Sequence, residues 1–101
     1  MLSETEQGKV DARVGLLMER GPHLGFPFSS QVMTSRFPEM RELRAQAGGD
    51  PLRVLYAFDP RRVAILLIAG DKTGNDRWYE KNVPVADRLF ERHLTAIQQE
   101  G

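Results

Sequence analysis

The sequence predicts an α+β domain in which helices pack on one face of a small twisted antiparallel sheet. Three features predict it: a helical apolar period near each end of the chain, a two-residue apolar period in the middle, and short polar turns between the apolar runs. The chain has 101 residues, of which 41% are hydrophobic. This is enough for one core, so residues 1–101 are expected to form a single domain with its function on the open face of the sheet.

The first element is predicted to be a helix from about Glu4 to Arg20. Val10, Val14, Leu17 and Met18 lie on one side of this helix at helical spacing. Ser3 and Glu6 have the spacing of a capping box at its start. A Gly-Pro pair follows and ends it, and residues 21–38 are then rich in glycine, proline and serine. They predict a long connection that can contain a brief strand or turn.

Three strands are predicted next, joined by short turns into an antiparallel meander. Residues 41–46 and 52–58 alternate between two sets of side chains, which is the period of a strand. Residues 63–69 form a continuous run of apolar side chains, typical of a strand buried on nearly both faces. The meander places these three strands side by side in one sheet.

The last element is predicted to be a helix that begins near Pro84, because proline suits the first turn of a helix. Leu89, Phe90 and Ile97 follow on one apolar side. His93 lies within that apolar side and is interpreted as a core or semi-buried histidine, not a catalytic one. The two ends of the domain are therefore both helical.

Composition excludes several classes of function. The 14 basic and 14 acidic side chains balance, so total charge does not indicate a nucleic-acid-binding protein, although six arginines and four acidic residues lie between positions 36 and 62. The absence of cysteine and of spaced histidines predicts no metal and no cofactor. No apolar run approaches the ~20 residues of a membrane span, and the acidic N-terminus is unlike a secretory signal, which predicts a cytoplasmic protein with no membrane contact.

Cationic side chains at the strands are the candidates for chemistry. Arg44 alternates outward on the first strand of the meander, Arg53 lies opposite the apolar face of the second, and Lys72 follows the third. Tyr79 offers a ring that can stack on a base, whereas its neighbour Trp78 is interpreted as core. Guanidinium groups pair with phosphate oxygens and aromatic rings stack on unpaired bases, so an RNA-binding surface is predicted. Ordinary solvated charge is the alternative interpretation for each cation.

The order of four motifs resembles a known family. MRELR, RVLYAFDPRR, AILLIAGDK and RWYEKNVPVADRLFERHL follow one another between about Gly21 and Leu94. This succession resembles the phage-derived, HigB-like branch of the RelE/ParE toxin superfamily. The resemblance implies a RelE-like fold and a toxin of a type II toxin-antitoxin module. It also implies three partners: a cognate helix-turn-helix antitoxin, mRNA and the ribosome.

The resemblance further implies a ribosome-dependent mRNA interferase, an endoribonuclease in which a ribose 2′-OH attacks the adjacent phosphate. By motif position, Arg44, Arg53 and Lys72 are implied as phosphate or transition-state contacts, and Tyr79 as a stacking or proton-transfer residue. Cations held near the phosphate stabilise the phosphorane. A lysine or tyrosine whose pKa is lowered by neighbouring arginines is expected to assist proton transfer. Three further residues are second-rank RNA contacts: Arg41, Arg61 and Lys81.

One departure from the family concerns the N-terminus. The strand and helix that usually come first in this branch have no counterpart before residues 4–20, so the domain is expected to be N-terminally short, unless its start site is placed too far downstream. A sheet edge is then left unpaired, which favours self-association. Two other functions stay open: a ParE-like toxin that binds DNA gyrase without hydrolysis, and a truncated, non-catalytic remnant that binds an antitoxin.

Overall fold

The protein is an α+β structure of four strands and two α-helices. The structure is a computed structural model, which describes residues 2–73 and 77–100. Its elements are α1 (Glu4–Arg20), a 3₁₀ turn (Gly21–His23), β1 (Ser29–Gln31), β2 (Arg41–Ala47), β3 (Asp50–Phe58), β4 (Ala64–Asp71) and α2 (Arg77–Glu100). The strands form one antiparallel sheet in the order β1-β2-β3-β4. The predicted fold class is therefore confirmed, and it is consistent with a RelE-like fold.

Helix α1 has the predicted bounds because local chemistry determines both of its ends. Ser3 and Glu6 form the predicted capping box, in which each side chain accepts the backbone N–H of the other residue. At the C-terminal end Gly21 has a φ of 55° and donates its N–H to the carbonyl of Leu17. This left-handed conformation favours glycine and stops the helix there.

The two helices pack on opposite faces of the sheet, which corrects the expectation that both cover one face. One core cluster joins α1 to side chains that share one face of β3: Leu52, Val54 and Tyr56. A second cluster joins α2 to Leu55 and Ala57 of the same strand. Successive side chains of a strand point to opposite faces, so the two clusters lie on either side of β3.

Strand β3, not β4, is the strand buried on both faces. It pairs with β2 on one side and β4 on the other, and each residue from Leu52 to Ala57 is buried. Strand β4 pairs with β3 alone and lies at the edge, where Leu66 is 46% exposed. The prediction that residues 63–69 are buried on nearly both faces was wrong, because an apolar run does not distinguish a central strand from an edge strand.

Helix α2 is longer than predicted. It begins at Arg77 and includes Pro84 in its interior instead of in its first turn. Proline removes one backbone donor and disfavours a helix before it, but Trp78 and Tyr79 in the added turns pack against the α2 core cluster. Despite its 24 residues, α2 is amphipathic, and within the described part of the chain no helix could cross a membrane.

Candidate functional site

Arg53 is the buried centre of a polar cluster on the α2 side of the sheet. It is 6% exposed, which corrects the expectation that it projects outward from β3. Its Nη1 donates to the carbonyl of Leu52 at 2.8 Å, and its Nε lies 3.6 Å from Oε1 of Glu42. That second distance exceeds a hydrogen bond, so Nε has no acceptor among the described residues. A buried donor left in this state costs about 1–3 kcal/mol.

Glu42 supplies the carboxylate of this cluster. It lies on β2 with its side chain 11% exposed, and it accepts a hydrogen bond of 3.2 Å from Oγ of Ser30. Its other neighbours are Arg53 and Tyr79. Glu42 was not among the predicted site residues. The available signal was its spacing of two from Arg44, since residues i and i+2 of a strand share a face.

Tyr79 contributes a hydroxyl group that holds its proton. Its pKa is raised above the ordinary 10.0, chiefly by burial, and the hydrogen bond and charge of Glu42 raise it further while Arg53 opposes them. The expected lowering of a tyrosine pKa by arginines is therefore wrong for Tyr79, because burial and the carboxylate outweigh the guanidinium. A neutral hydroxyl at this position can donate a proton or a hydrogen bond.

Lys72 reaches the same tyrosine from the end of β4. Its Nζ lies 5.4 Å from the centroid of the Tyr79 ring, within the range of a cation–π contact. A close approach of α2 to β4 makes this possible, because a Cβ added to Gly70 would lie 2.6 Å from Nε1 of Trp78. The bare glycine thus admits the indole ring, and the next residue along α2 is Tyr79.

Arg44 adds a cation beside Arg53. The two arginines are directly opposed on β2 and β3, an arrangement that places Cα atoms about 4.5–5.5 Å apart. The Arg44 side chain is half-buried, and its guanidinium lies 5.4 Å from the centroid of the Phe26 ring. Among residues 2–73 and 77–100 no carboxylate forms an ion pair with it.

The three further predicted RNA contacts, Arg41, Arg61 and Lys81, lie in different parts of the fold. Arg41 lies on the α1 side of the sheet, where its Nε donates to Oγ of Ser29 at 2.9 Å. Arg61 lies beyond the far end of β3, at least about 17 Å from Arg53 by strand rise, and its Nη2 pairs with Asp59 at 2.9 Å. Lys81 is the exception, because it lines a cleft together with Lys72.

Two open clefts flank the cluster, which contributes residues to both. The first cleft, of about 460 Å³, is lined by Glu42 and Tyr79 together with Met33 and other residues of the β1–β2 connection and α2. The second cleft, of about 370 Å³, is lined by Arg44 and Arg53 together with side chains of the loop before β1. The polar cluster therefore lies between two concave surfaces instead of at the bottom of one enclosed cavity.

A separate group of carboxylates lies on the α1 side of the sheet. Oxygen atoms of Glu6, Asp50 and Asp71 come within 4.8 Å of one another. Glu6 already accepts the N–H of Ser3. Asp71 accepts the hydroxyl and the N–H of Thr73, and these two hydrogen bonds hold the pKa of Asp71 below its ordinary value. Exposed acidic groups often gather without an ion, so this group carries no metal assignment.

Comparison with known proteins gives concordant matches. The family described as "Phage derived protein Gp49-like (DUF891)" matches residues 1–91. Two proteins of Mycobacterium tuberculosis are similar over most of the chain. "Putative toxin HigB3" is 44% identical over 96 residues, which cover 94% of this chain and 82% of the relative. "Putative toxin HigB2" is 42% identical over 91 residues, which cover 88% of this chain and 45% of that longer relative. No solved structure matches the chain significantly.

Proposed function

The chain belongs to the phage-derived Gp49-like family, and from this premise we propose that it is the toxin of a type II toxin-antitoxin module. We propose that it acts as a ribosome-dependent mRNA interferase whose partner is a helix-turn-helix antitoxin. The names of both relatives support a toxin. The observation that carries the nuclease proposal is the cluster of Arg53, Glu42, Tyr79 and Lys72, whose members line open clefts.

The cations of the site suit the charge that develops during cleavage. Attack of the 2′-oxygen on phosphorus gives a phosphorane with two negative charges, which fixed cations stabilise. Lys72 and Arg44 are half-buried, so they can contact the phosphate directly. Arg53 lies deeper and adds positive charge from within the sheet, where low solvent exposure strengthens its field.

Glu42 and Tyr79 suit the two proton transfers. The 2′-OH proton passes to the Glu42 carboxylate as the bond from the 2′-oxygen to phosphorus forms. The bond from phosphorus to the 5′-oxygen then breaks, and that oxygen takes the Tyr79 proton, which leaves a 2′,3′-cyclic phosphate and a 5′-OH end. Because Glu42 and Tyr79 are neighbours in this cluster, the proton can return from the carboxyl to the phenolate and restore both groups. General acid and base groups of this kind contribute about 10²–10⁴-fold each.

The experiment that tests this proposal maps mRNA 5′ ends in a bacterial host after induction. The wild-type protein should produce codon-phased cuts, and a Tyr79→Phe, Glu42→Gln double variant should produce none. Arg61→Ala is the matched control, because Arg61 lies outside the cluster and should leave the cuts unchanged. Growth arrest with intact mRNA and induced DNA damage would support gyrase binding instead. Antitoxin binding without any growth effect would support a non-catalytic remnant.

A further inference from the structure

Phe26 is an exposed aromatic ring at the second cleft. It is 76% exposed, whereas the other four phenylalanines of the chain are buried or half-buried. Exposing a ring of this size forgoes the hydrophobic stabilisation that its burial would give. Neither the core clusters nor the proposed chemistry uses it.

Arg44 contacts this ring and Arg13 lines the same cleft, and neither has a carboxylate partner among the described residues. The guanidinium of Arg44 lies 5.4 Å from the Phe26 centroid. Arg13 of α1 donates from its Nε to the carbonyl of Arg44 at 3.0 Å, and its guanidinium lies 4.8 Å from the Phe28 centroid. The second cleft is thus lined by positive charge and one free ring.

We propose that Phe26 is a stacking platform for an unpaired base of single-stranded RNA, with Arg44 and Arg13 binding the adjoining phosphates. This inference rests on the proposed function and names a further part of its substrate site. Arg44 occupies one side of the ring, and the large exposed area leaves the other side for a base. Aromatic rings bind unpaired bases in this way, with guanidinium groups on the backbone.

The position of the ring relative to Arg53 links the platform to the cleavage site. Phe26, Arg44 and Arg53 line the same cleft, while Arg53 also contacts the cluster of Glu42 and Tyr79. A strand whose scissile phosphate lies at that cluster therefore has its neighbouring nucleotides beside Phe26. Among the described residues, this cleft is lined by three arginines, namely Arg13, Arg44 and Arg53, and by no acidic residue. This positive charge favours the phosphates of a nucleic acid over an apolar protein segment.

The test measures binding separately from cleavage. A fluorescein-labelled single-stranded oligoribonucleotide with 2′-O-methyl groups cannot be cut by 2′-OH attack, so its fluorescence anisotropy reports affinity alone. Phe26→Ala should weaken binding about 5- to 150-fold, the range that loss of one stacked base gives. Phe26→Trp should bind as well as the wild type or better. Phe26→Leu should bind as poorly as Phe26→Ala, because it keeps apolar bulk and loses the ring.

Met18→Ala is the matched control, since Met18 is 80% exposed on α1 and lies outside the cleft. Met18→Ala should bind the oligonucleotide with wild-type affinity. The Tm of all four variants should lie within about 4 °C of the wild-type Tm. The stacking proposal would be overturned if Phe26→Leu bound the oligonucleotide with wild-type affinity. It would also be overturned if the wild-type protein did not bind the oligonucleotide. If Phe26 variants lose binding while the wild type cuts no natural RNA, the platform stands and the nuclease proposal fails.

Discussion

The Nε2 atom of His93 lies 2.9 Å from Oδ2 of Asp59 and thereby ties α2 to the turn between β3 and β4. Asp59 is 3% exposed and also accepts the backbone N–H groups of Arg61 and Val63. This cluster lies at the opposite end of β3 from Arg53. The interpretation of His93 as a semi-buried structural histidine is therefore confirmed.

Acid should destabilise the protein through Asp59. Burial alone would raise the pKa of this carboxyl, but hydrogen bonds from His93, Val63 and Arg61 outweigh it and hold the pKa well below the ordinary 3.8. A depressed pKa in the folded state adds stability above pH 3.8 that is lost as pH falls below it. Asp59→Asn should lower the free energy of unfolding by about 1.5–3 kcal/mol at pH 7. Urea denaturation should show a smaller difference from the wild type at pH 3.

Equal destabilisation by Asp59→Asn at pH 7 and pH 3 would contradict this account. Asp50→Asn is a suitable control, because Asp50 is exposed and its loss should change the free energy of unfolding by no more than about 0.5 kcal/mol at either pH.

Tyr79→Phe should lower the rate of RNA cleavage about 10²–10⁴-fold, because it removes the proton donor. The ring that contacts Lys72 and Trp78 remains, so RNA affinity and Tm should stay near their wild-type values. Since the pKa of Tyr79 is raised above 10.0, any loss of the wild-type rate through ionisation of this residue should have its midpoint above pH 10. A fully active Tyr79→Phe variant would remove the tyrosine from the mechanism.

Glu42→Gln should lower the cleavage rate about 10²–10⁴-fold, because an amide cannot accept the 2′-OH proton. Glu80→Gln is the matched control, since Glu80 is an exposed acid lining the same cleft. Single-turnover rates on a ribosome-bound message would measure both. Similar rates for the two variants would show that Glu42 is not the base.

Lys72→Ala should lower the cleavage rate about 10²–10³-fold, because it removes one group that stabilises the negative charge of the transition state. Lys81→Ala should have a smaller effect on the rate and should mainly weaken RNA binding, because Lys81 is exposed at the cleft that the two lysines share. Comparison of kcat and KM for the two variants separates these outcomes. Equal losses of kcat would contradict the distinction.

Gly70→Ala should disturb the site from a distance. The added Cβ would lie 2.6 Å from Nε1 of Trp78, so the indole ring must shift. We expect a loss of about 1–3 kcal/mol in stability, a changed tryptophan emission and a reduced cleavage rate. Gly8→Ala is the control, because nothing lies within 4 Å of its added Cβ and alanine favours the helix. Unchanged emission in Gly70→Ala would contradict the packing argument.

The sequence by itself determined the α+β class, the bounds of α1 and the position of the three predicted strands. These features depend on short-range physics: the capping groups of Ser3 and Glu6, the left-handed Gly21, and apolar periods of 3.6 or 2 residues. It also singled out Arg53, Lys72 and Tyr79, and the fold brings both cations close to Tyr79.

Only the tertiary structure decided which face each helix covers, which strand is central, and which charges meet. An amphipathic period shows that a helix has an apolar side but not which side of a sheet receives it. Strand pairing placed Glu42 near Arg53, and the packing of α2 on the sheet placed Tyr79 beside both. Contacts of this kind join residues far apart in the chain, so local patterning does not specify them.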